Sequence, residues 1–195
     1  ETLKNLREET KLVFTTQFEG EHRYNASYIL YDTKASGRLA TSHLLRLGRK
    51  RIAIVNFEMQ PKWSSARFWE GCQEAFREFG IDPVIHITDS TNKVARAKAE
   101  ELLSGPKPLD GVVAIEDFRI LPFVEAARKK GMKVPDDIAF IGHNNTDWAV
   151  HLDLTSIDPM DREIAVQAVA ALKSEHGVFT TITPRIIFRG SCPPQ

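Results

Sequence analysis

The residues that could do chemistry fall into three groups, and their spacing limits what each could do. Adjacent carboxylates occur at Glu8-Glu9, Glu100-Glu101 and Asp136-Asp137. Sequence neighbours project about 100° apart on a helix, so no pair among these is set to share a substrate as acid and base. His143 and His151 stand eight residues apart in an expected loop, a spacing without metal-ligand geometry. Cys72 and Cys192 lie far apart with no CxxC and no Cys/His cluster, which disfavours a disulfide scaffold and a structural zinc site. Walker loop, GxGxxG after a strand, GxSxG elbow and HExxH are all absent. The sequence therefore predicts no catalytic residues, no metal and no cofactor. The third group, Arg46, Arg49, Lys50 and Arg51, follows an expected helix. Cations there complement the helix dipole and stay solvated, an ordinary role that outweighs a nucleic-acid patch.

Whole-chain composition points the same way. The 195 residues carry 26 Lys and Arg against 26 Asp and Glu, for a formal charge of zero. Nucleic-acid affinity rests on counterion release by basic surface, so autonomous DNA or RNA binding is not expected. The 42% hydrophobic content supports one packed domain or two small lobes. No apolar run reaches the roughly 18 residues of a membrane span, and no secretory leader opens the chain. Its start, Glu1-Thr2-Leu3-Lys4, reads like the inside of a longer protein.

Short apolar runs alternate with amphipathic stretches. Strands are predicted at Leu12–Phe14, Tyr28–Tyr31, Arg51–Val55, Val84–Ile87, Gly111–Ile115 and Ile138–Gly142. These runs are near-continuous, as strands buried on both faces should be. Helices are predicted at Ala35–Leu47, from Ser64 or Ser65 as cap to Phe79, at Asn92–Leu103 and at Phe118–Lys130. Gly48 and Gly131 are suited to end two of them. Pro122 falls about one turn into the last, so a distorted or delayed first turn is expected there. Strand and helix in alternation imply right-handed βαβ units and a parallel sheet covered on both faces.

Six segments also fit spaced patterns. Asp32 through Ala53 fits D…G…A..HL..LGH..IA, with Arg49 in place of its histidine. Ser65-Ala66-Arg67 through Gly71, with Ala75-Phe76, is similar to R..GF..AL, with one more residue between Arg67 and Gly71. Asp110 through Asp117 is similar to DAV.A.ND, and Gly131 through Asn145 is similar to G..VP.DI...GFDD, which ends here as Gly142-His143-Asn144-Asn145. Leu154–Ile157 fits LTTV, and Pro184 through Cys192 fits P.LV.R.S. Taken in order, they resemble the effector-binding core of the lac-repressor (LacI/GalR) family of bacterial transcription regulators.

The resemblance implies a parallel-sheet α/β fold of the periplasmic-binding-protein-like type I class. It implies a near-complete C-terminal lobe, residues 32–155 and 179–192, and a partial N-terminal lobe, residues 1–31 and 156–178. The chain would cross between them three times, the second lobe including a helix from Asp161 to Lys173. It further implies a cytoplasmic homodimer, not an enzyme, that binds a small-molecule effector, a sugar or related metabolite. Operator DNA would be met only through an N-terminal helix-turn-helix. That head and the family's first two βα units have no counterpart in these residues, and Glu1 to Glu8 reads as the end of the helix following them. A periplasmic sugar-binding protein of a transporter is the alternative on the same fold.

Ligands in such folds bind beyond the carboxyl ends of the strands. This places Phe57 to Lys62, Glu116, Asp117, His143 to Asn145 and Asp158 around one cleft. The resemblance assigns effector contact to Arg67, Asn144, Glu116, Asp117, Asn145, Trp63 and Trp148. Arg67 would make charge-assisted bonds, although its spacing to Gly71 is one residue longer than the pattern; a solvated helix-start arginine is the alternative. Asp117 could instead cap the following helix. Asn144 replaces an aspartate, Glu116 an asparagine, and Thr15-Thr16-Gln17 stands where an aspartate is usual, pointing to an unusual ligand or a degraded pocket. Trp63 and Trp148 could stack on a sugar ring or pack at the rim. A dimer surface falls on Phe118, Ile120, Leu121, Val150 and His151, with burial in the lobe's own core as the alternative.

Overall fold

A computed structural model describes residues 10–15, 26–56, 63–82, 85–87 and 92–194. The elements are β1 (Val13–Phe14), β2 (Ser27–Tyr31), α1 (Thr33–Arg46), β3 (Ile52–Val55), α2 (Ser64–Glu78), β4 (Ile85–Ile87) and α3 (Asn92–Ser104). They continue with β5 (Gly111–Ala114), a 3-10 turn (Asp117–Ile120), α4 (Leu121–Lys129), β6 (Ala139–His143) and α5 (Asp147–His151). The last are β7 (Thr155–Asp158), α6 (Asp161–Lys173), β8 (Phe179–Ile182) and β9 (Arg185–Ile187). Val84, Glu1 to Glu8 and Phe57 to Lys62, all named above, lie outside the described residues, as do Thr16 and Gln17.

Two sheets organise these elements. The larger has six strands in the order β4-β3-β5-β6-β7-β9, all parallel except β9. Its central strands are fully buried because helices cover both faces. One face packs against α1 and α2 through Leu44, Phe68 and Phe76, the other against α3 and α4 through Leu103, Phe123 and Ala127. The smaller sheet has three parallel strands, β1-β2-β8, packed on α6 through Ile29, Ile164, Ala171 and Ile182. The chain passes between the sheets after β2, after β7 and after β8, three times in all. Thus β7 belongs to the larger sheet and β8 to the smaller, so the expected lobe boundaries at 155/156 and 178/179 each fall a strand later.

Local signals explain where the elements begin. Asp32 caps α1, its carboxylate accepting from the Ala35 N–H at 2.9 Å, and Gly48 follows the helix at φ 80°. α2 begins differently from expectation. Neither serine caps it; Trp63 holds the cap position without a side-chain bond, and Ser65 is buried, its carbonyl accepting from Asn56 at 2.8 Å. α1 and α2 touch backbone to backbone, because a Cβ at Gly37 would collide with the Phe68 carbonyl and one at Gly71 with that of Lys34. That approach sets where α2 starts, and with it Trp63, Arg67 and Phe68. Pro122 delays α4 as expected: the chain makes a 3-10 turn first, and the proline sits in the first turn of the helix proper, where no intrahelical N–H is needed.

Candidate functional site

The carboxyl ends of β5, β6 and β7 converge on one corner of the larger sheet. Beyond β6 the backbone turns through two left-handed residues, Asn144 at φ 89° and Asn145 at φ 48°. Asparagine tolerates this region better than most residues, because its short amide can bond locally. The Asn144 N–H donates to the Ile157 carbonyl at 2.9 Å and the Asn145 N–H to Ser156 Oγ at 3.0 Å, so β7 fixes the turn. Asn145 Oδ1 accepts from Arg189 at 2.7 Å, while the same guanidinium holds the Leu154 carbonyl at 2.9 Å.

Asn144 and Asn145 line a cavity of about 580 Å³ between the end of the larger sheet and the start of α6. Its other walls are Asp158 and Met160 in the second crossing, Asp161, Arg162, Glu163 and Val166 on the first turns of α6, and Arg185 opening β9. Asp158 and Arg185 form a two-pronged ion pair, with Nε at 3.1 Å and Nη2 at 3.0 Å from Oδ2, and Asp158 Oδ1 accepts from the Met160 N–H at 2.8 Å. The cavity thus mixes amide, carboxylate and guanidinium groups around a crossing point. Such a surface can both donate to and accept from hydroxyl groups.

The other expected contacts are placed elsewhere. Arg67 stands in the first turns of α2, half-exposed, with its guanidinium on Glu70 at 3.2 Å. Trp63 is exposed beside it. Glu116 accepts from Arg119 at 2.9 Å. None of these lines the cavity among the described residues. Asp117 is neither a cap, Glu116 holding that position, nor a surface group. It is 1% exposed; Ser156 Oγ donates to its Oδ1 at 2.6 Å, and the Thr146 N–H and hydroxyl donate to its Oδ2 at 2.7 and 2.8 Å. Burial raises its pKa above the usual carboxylate range, and these bonds with the Arg189 charge work against the rise. A carboxylate so occupied ties the 3-10 turn to the loop after β6 and has no face for a ligand.

The aromatic and aliphatic residues sort by exposure. Phe118, Trp148 and Val150 are 44%, 48% and 61% exposed. They lie on the 3-10 turn and on α5, which pack side by side, and the Arg119 guanidinium covers the Phe118 ring at 5.2 Å. Trp148 therefore shares this apolar surface and does not line the cavity. His151 is exposed on the same helix and Leu121 is half-buried. Ile120 is corrected: it is fully buried in the lobe's own core with Phe123 and Leu154, and offers nothing to a partner. Both cysteines are buried free thiols, with burial pushing each pKa up to about 12, so neither is poised to react.

Sequence reasoning missed Ser156, Thr146, Arg185 and Arg189, which hold the corner together. Ser156 and Arg189 were legible only as members of the LTTV and P.LV.R.S patterns, and the types of Thr146 and Arg185 carry no signal at that spacing. Only the pairing of β6 with β7 brings Ser156 beside Gly142, where a Cβ would collide with Asp117.

A parallel sheet whose strand ends open on a cavity walled on its other side by the helix of a second sheet, the two sheets joined by three crossings, is the layout of two-lobed binding proteins that close on a small molecule. The comparisons agree. A family profile for the periplasmic binding protein-like domain matches residues 41–192, and the chain belongs to that family. It is 28% identical over 158 residues to the transcriptional regulator CelR of Thermobifida fusca, covering 76% of this chain and 46% of the relative. It is 30% identical over 138 residues to the repressor CytR of Escherichia coli K12, covering 68% and 40%. The chain spans about half the length of the curated relatives it matches, or less. Among solved structures, a CelR–cellobiose complex superposes with a TM-score of 0.73 at 26% identity, covering 92% of this chain and 58% of that one. A LacI-family regulatory protein from Chloroflexus aggregans has the same fold, with a TM-score of 0.82 at 19% identity over 100% of this chain and 73% of that one. The relatives are LacI-type transcriptional regulators, in line with the resemblance in the sequence. No helix among the described residues is long and apolar enough to cross a membrane.

Proposed function

We propose that these residues form the effector-sensing and dimerisation part of a LacI-type transcriptional regulator. A small polyhydroxylated molecule, a sugar or related metabolite, binds between the lobes and favours one lobe arrangement over another. That preference reaches DNA through the geometry of a dimer, because a ligand shifts a conformational equilibrium only by its differential affinity for the two states. The observation that carries the reading is the cavity at the crossing point, walled by Asn144 and Asn145 from one lobe and by the start of α6 from the other. The cellobiose named for one similar structure supports the ligand class. Curated relatives that are regulators favour this reading over the transport alternative. The exposed Phe118, Trp148 and Val150 surface supports an isologous dimer, which apolar side chains of this size would stabilise on burial.

Two measurements test the reading. Calorimetry with cellobiose, ribose and a panel of other sugars and nucleosides is expected to find a ligand. Arg67→Ala, which leaves the cavity walls intact, is expected to weaken it about tenfold if the α2 start swings over the bound molecule, corresponding to one charge-assisted bond. Sedimentation velocity is expected to show a dimer that Val150→Asp dissociates. No binding by any sugar, together with a monomer at all concentrations, contradicts the proposal.

A further inference from the structure

His143 ends β6 and precedes Asn144, yet nothing in the described structure satisfies it. Its side chain is 1% exposed and neither ring nitrogen has a hydrogen-bond partner among the described residues. The Asn144 side chain and the Ile115 backbone approach the ring and favour its charged form, but neither makes a bond of ordinary geometry. The ring is packed instead between two aromatics, Phe68 on α2 edge-on at 5.6 Å and Tyr31 at 6.0 Å. Tyr31 is the last residue of β2, in the smaller sheet, so this second contact spans the first crossing between lobes. Buried polar groups are almost always paired, because an unmet donor or acceptor keeps its full desolvation cost. An unpaired imidazole under an aromatic lid from the other lobe is therefore a place where the two lobe arrangements differ in energy.

We propose that His143 is a proton-operated latch on the interlobe cleft: as neutral imidazole it lets Tyr31 close over it, and on taking a proton it turns toward water, displacing Tyr31 and the adjoining Asn144. No charged group among the described residues acts on the His143 ring itself, and the carboxylates near its Tyr31 cover are Asp161 at the start of α6 and Glu116. Glu116 after β5 is paired with Arg119, and Asp117 is saturated by Ser156 and Thr146. Asp158 after β7 is paired with Arg185, and Arg67 on α2 with Glu70. The Tyr31 hydroxyl is neutral, burial raising its pKa further. Burial lowers the His143 pKa to about 4. Against an ordinary value near 6.5, the sign follows: the closed form holds above about pH 6.5 and loses ground as the pH falls from there toward 4. By pH 5.5 the ratio of opened to closed ring rises about tenfold, which would weaken a cleft ligand by up to that factor, the full tenfold being reached only where the opened form already predominates. Only that last consequence rests on the cleft being an effector site.

The test needs no effector. Nuclear magnetic resonance of the full chain, from pH 7.5 to 4.5, follows the His143 ring and the Tyr31 and Asn144 amides. The latch predicts a ring midpoint well below 6.5 in a protein that keeps its folded spectrum, with both amides moving at the same midpoint. In His143→Gln, which keeps a donor and an acceptor but takes no proton, the two amides stop titrating. A midpoint at the ordinary value overturns the proposal. So do fixed Tyr31 and Asn144 amides while the ring titrates, or global unfolding before it does. Should His143→Gln fail to fold, the wild-type titration alone decides.

Discussion

Asp117 follows β5 and His143 ends β6, the neighbouring strand. Both are 1% exposed, and both stand at the corner where the larger sheet meets the cleft. Their surroundings are opposite. Asp117 accepts three hydrogen bonds from two residues of the adjoining loop and strand, whereas His143 has none and is enclosed by rings. The same depth of burial thus produces a tie-point at one strand end and an unsatisfied group at the next. Burial shifts the two pKa values in opposite directions, up for Asp117 and down for His143, because it disfavours the charged form in each case. A rigid corner beside a labile one is what a cleft needs if one wall is to hold its shape while the other responds.

Substitutions can break this comparison, and the largest effect is expected at the tie-point. Asp117→Ala strands the Ser156 hydroxyl and both Thr146 donors, and should cost about 3 kcal/mol in urea denaturation. A loss under about 1 kcal/mol would mean that water or a rearranged loop replaces the carboxylate. The acid dependence of wild-type stability comes next. His143 is neutral in the fold and charged once unfolded, so its contribution is intact above about pH 6.5 and falls as the pH drops toward 4. About 2 kcal/mol should disappear between pH 7.5 and pH 5. His43, whose pKa burial also lowers, adds in the same sense, while the raised Asp117 opposes it at the acid end. The smallest effect has the opposite sign to the first. His143→Phe removes two unmet polar atoms from an aromatic pocket and should raise stability at pH 7.5 by about 1 kcal/mol. It should also flatten the acid limb, read by thermal denaturation at the two pH values. Destabilisation at both pH values would show that the imidazole is held by a partner after all.

Much of the fold was legible because it rests on continuous apolar runs. The six predicted strands and four predicted helices all recur within a few residues, and Pro122 marked the delayed start of α4. The lobe boundaries were less legible. β8 reads Phe179-Thr180-Thr181-Ile182, short and half-exposed, and nothing in it tells which sheet it joins. The site was legible only by position. Asn144 and Asn145 could be placed at a strand end from the pattern Gly142 through Asn145, and the cavity does include them. Asp117 looked equally eligible, since a carboxylate's type does not reveal whether it faces a ligand or a serine brought in by the next strand. Ile120 and Val150 are both apolar in predicted surface segments, and one is fully buried while the other is 61% exposed. The 3-10 geometry of Asp117–Ile120 turns Ile120 inward, a detail below the resolution of hydrophobic pattern.

The central claim is that the interlobe cavity at Asn144 takes a small polyhydroxylated effector. It is tested most directly by the dissociation constant of the sugar found by calorimetry, measured for the wild type and for Asn144→Ala at pH 7.5. Loss of the Asn144 amide contact should weaken binding at least tenfold while the unfolding temperature of the free protein stays within a few degrees. An unchanged dissociation constant would place the ligand elsewhere and contradict the account.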